Sequence, residues 1–236
     1  MDMRGVAAIH MVRCGSPGLC IWQNRSVAHP ASRGPGRPPA AKSGETRGRI
    51  LRAAREVFNE TGYDAATFQE IATRADLTRP AINHHFPSKV VLFQQVAEQT
   101  TAMVVAGIAA AWCEQTFAAR IAAFVHATGQ ALAEDRTVSA FLVVSTLESQ
   151  RHPELLRDGK GALEHTRDFL AAVIRDAITT GELPADADAG AVSELLIAML
   201  WGLGFQAGFV GDARQMLAVT DEFLRRVVAG GLRGTG

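Results

Sequence analysis

Thr67-Phe68-Gln69-Glu70-Ile71-Ala72-Thr73-Arg74-Ala75-Asp76-Leu77-Thr78-Arg79-Pro80-Ala81-Ile82-Asn83-His84-His85-Phe86-Pro87-Ser88 is the stretch on which the fold turns. Thr67 with Glu70 three residues later has the form of a capping box, in which hydroxyl and carboxylate each satisfy a backbone N–H. The spacing predicts a short helix over 67–74 with Phe68, Ile71 and Ala72 turned inward. Ala75-Asp76-Leu77 leaves room only for a tight turn. Thr78 then stands where a helix cap is needed, and Arg79-Pro80 fall in the first turn, where the missing N–H of proline does no harm. Pro87 stops this second helix and Ser88 caps the next. Two short helices joined this way form a helix-turn-helix.

The second helix, of about seven residues, is roughly 10 Å long. It fits a major groove about 12 Å wide. Thr78, Arg79 and Asn83 project from one face of it, and arginine pairs bidentately with guanine, asparagine with adenine. The free N–H groups that begin these helices suit phosphates. Lys89 lies in the first turn of a helix, where a cation opposes the dipole, so a phosphate partner is the expected reason for its place. His85 and Phe86 are expected to pack inward.

Upstream, helical periodicity begins near Thr46. Ile50, Leu51, Ala54, Val57 and Phe58 share one face, and Arg47, Arg49, Arg52 and Arg55 lie mostly off it. Gly62 reads as the C-terminal cap, with Tyr63 packing back. Residues 1–44 are rich in Gly, Pro, Ser and Arg, and read as a disordered basic arm. Its extended portion carries Arg33 and Arg37, which suit a narrow minor groove. The chain is neutral overall, yet residues 1–94 hold thirteen Lys/Arg against seven Asp/Glu, and residues 95–236 eleven against seventeen. A basic head and an acidic body imply that only the head meets a polyanion, although 45–94 alone is close to neutral.

Beyond Ser88 the pattern is helical throughout. Helices are expected at 88–113, 116–133, 136–150, 153–180 (starting on Pro153), 189–210 and 213–229. The chain is therefore all-α with about nine helices: a three-helix head at 45–93 and a helical bundle at 94–236, expected below to be the ligand-binding and dimerisation domain. Trp112, Phe124, His126, Phe141, Thr146, His165, Phe169, Trp201 and Phe205 are candidates to line an apolar pocket with a few polar groups. Met199, Gly202 and Gly208, with the stripe Met216, Thr220, Phe223, Leu224 and Val227, are candidates for a symmetric dimer interface.

Residues 47–93, ending Ala75-Asp76-Leu77-Thr78-Arg79-Pro80-Ala81-Ile82-Asn83-His84-His85-Phe86-Pro87-Ser88-Lys89, resemble the TetR (tetracycline-repressor) regulators. The resemblance implies a homodimer with a variable ligand pocket, dimerised through its last two helices. It implies DNA contact by Thr67, Gln69, Thr78, Arg79, Pro80, Asn83, His84 and Lys89. It also implies a transcriptional regulator, a repressor released from its double-stranded operator by a small, largely apolar effector. Two positions depart from the family pattern. Asp76 stands where glycine is usual, and aspartate tolerates the left-handed conformation better than most residues. Asn83 stands where tyrosine is common.

Rival readings fit less well. Gly202-Leu203-Gly204-Phe205-Gln206-Ala207 has a dinucleotide-binding spacing but lies inside a helical stretch with no strand before it. No nucleophile elbow, phosphate loop or metal spacing appears, so neither catalysis nor a cofactor or metal is expected; Cys14, Cys20 and His29 lack zinc-site spacing. The most apolar run, Leu195–Val210, is about 16 residues, short for a membrane span and expected to be a buried helix. With three cysteines and no apolar leader, the expected location is the cytoplasm. The remaining alternative is a helical ligand-binding or scaffold protein that has lost DNA binding.

Overall fold

The computed structural model describes residues 39–156, 159–211 and 213–228, which include nine α-helices and no strand. They are α1 (Pro39–Ala65), α2 (Phe68–Arg74), α3 (Arg79–His85), α4 (Lys89–Ala111), α5 (Phe117–Glu134), α6 (Arg136–Arg151), α7 (Ala162–Thr179), α8 (Ala189–Phe205) and α9 (Ala213–Val228). The arm residues Arg33 and Arg37 lie outside the described residues.

The expected helix ends are met closely where the caps are strong. Ser88, Thr116 and Asp188 each accept a hydrogen bond from the first turn of the helix they precede. Gly62 has φ 75° and breaks the α1 helix there, so the chain turns and Tyr63 lies buried against Phe58 and Phe93. Three boundaries differ. α1 begins at Pro39, ahead of the first apolar-periodic residue. Pro153 opens a 3-10 turn, Pro153–Leu155, instead of α7, which waits until Ala162. α8 passes at its end into a π turn, Gln206–Val210, closed by the Gly211 N–H on the Gln206 carbonyl at 2.7 Å.

Two buried clusters organise the helices. One lies in the body and joins α4, α5, α7, α8 and α9 through residues such as Phe124, Phe169, Leu170, Ile174, Leu196, Phe223 and Leu224. The other lies under the head, where α1 to α3 supply Ile50, Val57, Phe58, Ile71 and Ile82, and α4 supplies Leu92, Phe93 and Val96. Phe141 of α6 and Leu155 belong to this head cluster. Phe141 is fully buried, its ring 5.2 Å from Phe93 and 6.3 Å from Phe58. The head core is thus completed by body residues, and the expected boundary at 93 falls within α4.

The apolar run ending in Val210 is not a buried helix. Leu195, Met199, Phe205, Phe209 and Val210 are exposed, and only one side of α8, carrying Ser193, Leu196, Ile197 and Gly204, is buried in the body. Among the described residues, Ala189–Val210 is the one helix long and apolar enough to cross a membrane by length and composition. Its inner side is already committed to the body core.

Candidate nucleic-acid interface

The reading head is built by caps. Thr67 Oγ1 accepts from the Glu70 N–H at 3.1 Å, which starts α2. α2 ends in a complete Schellman arrangement. The Leu77 N–H bonds to Ala72 O at 2.9 Å and the Asp76 N–H to Thr73 O at 3.2 Å, while Asp76 itself has φ 52°. Asp76 therefore takes the left-handed place that glycine usually fills.

Arginines of α1 hold this turn and the recognition helix. Arg49 donates to the carbonyls of Ala75 and of Asp76, and its guanidinium lies 3.6 Å from the Asp76 carboxylate. Arg47 reaches the end of α3, donating to His85 O at 3.4 Å and to Gln95 Oε1 at 2.8 Å, with its guanidinium 4.5 Å from the centre of the Phe86 ring. Arg74 bridges α2 to Glu60 of α1. In the sequence these arginines are simply off the apolar face; only the fold shows that they clamp the turn and the end of α3. Three of their acceptors are backbone carbonyls, of Ala75, Asp76 and His85, which carry no residue-specific signature.

On this scaffold Thr67, Gln69, Thr78, Arg79, Pro80, Asn83 and His84 are all exposed. Arg79 and Asn83 are four residues apart on α3, so they stand one turn above the other on the same face. Thr78 occupies the cap position but its hydroxyl makes no capping hydrogen bond, contrary to the sequence expectation. Burial, with the nearby charges of His84 and Arg47 added, holds the partly buried His85 imidazole below its ordinary value.

Lys89 is placed differently from the expectation. Its ammonium donates to the carbonyls of Tyr63 (2.7 Å), Asp64 (2.9 Å) and Ala66 (3.2 Å), which follow the break in α1 at Gly62. All three of its N–H donors have partners inside the chain, so its position needs no phosphate to explain it.

Among the described residues the pocket candidates have different surroundings. Phe124 and Phe169 are buried core, with Trp112 edge-on to Phe169 at 5.7 Å. Phe141 belongs to the head core, as above, because α6 leans on α1. Thr146 Oγ1 donates to Leu142 O along its own helix. His126 and Phe205 are exposed, while His165 and Trp201 are half-buried. A cleft of about 250 Å³ is lined by Gln94, Glu98, Thr101 and Val105 of α4 and by Leu155 and Lys160 across from it. The clue available in the sequence was the i, i+3, i+4 row 94, 97, 98, 101, 102, 105.

The dimer candidates divide. Met199 and Gly202 are exposed on α8. Gly208 faces inward, where an added Cβ would stand 2.6 Å from the Ala140 backbone of α6. Phe223 and Leu224 are buried in the body core, so the inner stripe of α9 serves its own chain. Met216 and Thr220 are half-buried, and the Val227 side chain lies outside the described residues.

Comparison with known proteins bears on this geometry. Residues 50–96 match the family model described as bacterial regulatory proteins, tetR family, and residues 114–230 match that of the tetracyclin repressor-like C-terminal domain. The chain is 28% identical over 159 residues to the HTH-type transcriptional regulator UidR of Escherichia coli (strain K12), spanning 67% of this chain and 79% of the relative. It is 30% identical over 155 residues to the HTH-type transcriptional regulator SrpR of Pseudomonas putida, spanning 64% and 70%. In fold it is similar to the ketosteroid transcriptional regulator KstR2 of Mycobacterium tuberculosis, with TM-score 0.65 and 19% identity over 78% of this chain and 93% of that one.

Proposed function

The chain belongs to the tetR family of bacterial regulatory proteins and is a DNA-binding transcriptional regulator; on that premise we propose that it is a homodimeric repressor released from its operator by a small, largely apolar effector. The observation that carries the DNA reading is the presentation of α3. Arg79 and Asn83 stand exposed on a helix whose end is fixed by Arg47 and whose preceding turn is fixed by Arg49. Such preorganisation lets Arg79 and Asn83 read base edges while Thr67, Gln69, Thr78, Pro80 and His84 meet the backbone and groove walls. The working division is a DNA-binding head, residues 45–93, and an effector and dimer body beyond it, acting in the cytoplasm where the chromosome lies.

A second copy of the chain is the proposed cover for the exposed side of α8 and the π turn. Leu195, Met199, Gly202 and Phe209 follow each other at helical spacing on the outside, and Val219 of α9 is exposed as well. An isologous dimer buries such a face against itself and sets two recognition helices along one duplex. The cleft beside α4 is the proposed effector site. Its lining is mainly apolar, and its volume, just under the range of about 300–1,000 Å³ common for drug-sized ligands, suits a small molecule. A ligand that wedges α4 from the link between α6 and α7 favours one head position, and weakens operator binding by its differential affinity for the two states.

The test is selection of duplexes bound by the purified protein, repeated as salt is raised. Binding is expected to weaken steeply, because phosphate contacts release counterions. Recovery of no enriched sequence, or binding indifferent to salt, would overturn the reading.

A further inference from the structure

α6 touches both the head and the exposed dimer face, and it does so with one turn. Asp135 is its N-cap, accepting from the Thr137 N–H and Oγ1 at 2.9 and 2.6 Å. The same carboxylate pairs with Arg55 of α1, whose Nε donates to Thr137 Oγ1 at 2.9 Å. Asn59, one turn further along α1, donates to Thr137 O at 2.8 Å. On the other side of that turn, Arg136 Nε donates to the Gly208 carbonyl at 2.9 Å, and Gly208 lies so close to Ala140 that a Cβ there would overlap its backbone. Gly208 sits in the π turn whose other side carries the stacked, exposed rings of Phe205 and Phe209. Residues 135–140 therefore join α1 directly to the exposed aromatic pair, without passing through α4.

We propose that the first turn of α6 is the spacer that sets the distance between the two reading heads of the dimer, with Arg55, Asp135 and Gly208 as positioning residues for half-site spacing. The proposal rests on the dimeric, DNA-binding reading above. A head held to the body by α4 alone pivots about the Ser88 cap. A second attachment to α6, made by Phe141 in the head core and oriented by Arg55 and Asn59 at the first turn, removes that freedom. Because the second attachment is bolted to the π turn, the geometry of the dimer face is passed to the heads as a fixed separation. Bases are read by α3; spacing is read by α6.

The test uses the full chain and a duplex library in which the half-site selected by the wild-type protein is repeated in inverted orientation at varied separations. Wild-type protein is expected to enrich one separation by about tenfold over its neighbours, the factor that a single well-made hydrogen-bonded ion pair is able to hold. Asp135→Asn keeps the cap, since asparagine caps as well as aspartate, and removes the charge facing Arg55. Arg55→Gln removes the other partner. Each variant is expected to remain a dimer in sedimentation, to select the same half-site sequence, and to spread its enrichment so that the preferred separation leads by about threefold or less. A purely structural role lowers binding at every separation alike. Unchanged spacing preference in dimeric Asp135→Asn or Arg55→Gln would therefore overturn the proposal while leaving the DNA-binding reading intact. Wild-type protein that enriches no duplex overturns that reading and this proposal together.

Discussion

The Lys89 ammonium donates to the Tyr63 backbone carbonyl at 2.7 Å and stands 4.5 Å from the centre of the same residue's ring. The carbonyls of Asp64 and Ala66 take its other two N–H bonds, so the cation satisfies acceptors left open just beyond the break in α1 at Gly62. A positive charge at a helix C-terminus is favourable, and here it overrides the cost of placing the same charge at the start of α4. Lys89→Ala is expected to destabilise the head by about 2 kcal/mol, as for hydrogen bonds made by a charged group. The checking measurements are a thermal melt and the salt dependence of DNA binding. The melting temperature falls, while the slope of log affinity against log salt stays unchanged; a lysine that neutralised a phosphate would reduce it by about 0.9. A reduced slope with an unchanged melt would restore the phosphate role.

Asn83 sits exposed on the same face of α3 as Arg79, two residues before the helix end that Arg47 pins. Asn83→Ala is expected to relax preference at one base pair by about tenfold, within the range for loss of a bidentate base contact. Binding to duplexes mismatched at that pair should be little altered. Parallel selections with wild-type and variant protein read this out, and an equal loss on every duplex would assign Asn83 to backbone contact.

How far the sequence carried the reading follows from what kind of force placed each residue. Local caps are legible: Thr67, Gly62, Ser88 and Asp188 act within a few residues of themselves, and the helix ends they set lie where expected. Asp76 was legible for the same reason, since a left-handed residue is demanded by the turn alone. Contacts between distant segments were not. Arg55 meets Asp135 across eighty residues, and Lys89 meets carbonyls that have no sequence identity at all. Aromatic residues such as Phe141 announce burial without saying in which core. The inner and outer sides of α8 and α9 were indistinguishable by composition, because the chain needs apolar residues on both.

His85 supplies a pH dependence with a definite sign. Burial, followed by the charges of His84 and Arg47, lowers its folded value from the ordinary 6.5. The unfolded chain then holds the extra proton at mildly acid pH, so this stabilisation is complete above about pH 6.5 and is lost as pH falls towards the folded value. Wild-type protein is expected to lose more melting temperature than His85→Gln when pH is lowered from about 7.5 to about 5.5, a window that spans histidine titration. Equal losses in the two proteins would show that His85 does not carry the effect.

Leu195 and Met199 lie one turn apart on the uncovered side of α8, opposite Leu196 and Ile197 in the body core. Introducing Leu195→Glu and Met199→Glu together places two like charges in each half of a symmetric interface, with no partner to neutralise them. Sedimentation is expected to shift from dimer to monomer, with helical content unchanged and affinity for a two-half-site duplex greatly reduced. A double variant that remained dimeric at micromolar concentration would move the interface elsewhere.

Phe141 decides whether head and body are one folding unit. It belongs to α6, yet its ring is enclosed by Phe58 of α1 and Phe93 of α4 and has no solvent exposure. Truncating such a ring leaves a cavity that the surrounding helices only partly fill, at a cost of about 3–5 kcal/mol. If the head were an independent module hung on α4, Phe141→Ala would loosen α6 and leave α1 to α3 as protected as before. Because the cavity opens inside the head's own core, hydrogen exchange is expected to quicken together in α1, α2, α3 and α6. The body core around Phe169 and Ile174 should be affected less, since it forms a separate cluster. Faster exchange confined to α6 would show that the head stands alone, and would leave Arg55 and Asn59 as surface contacts without mechanical consequence.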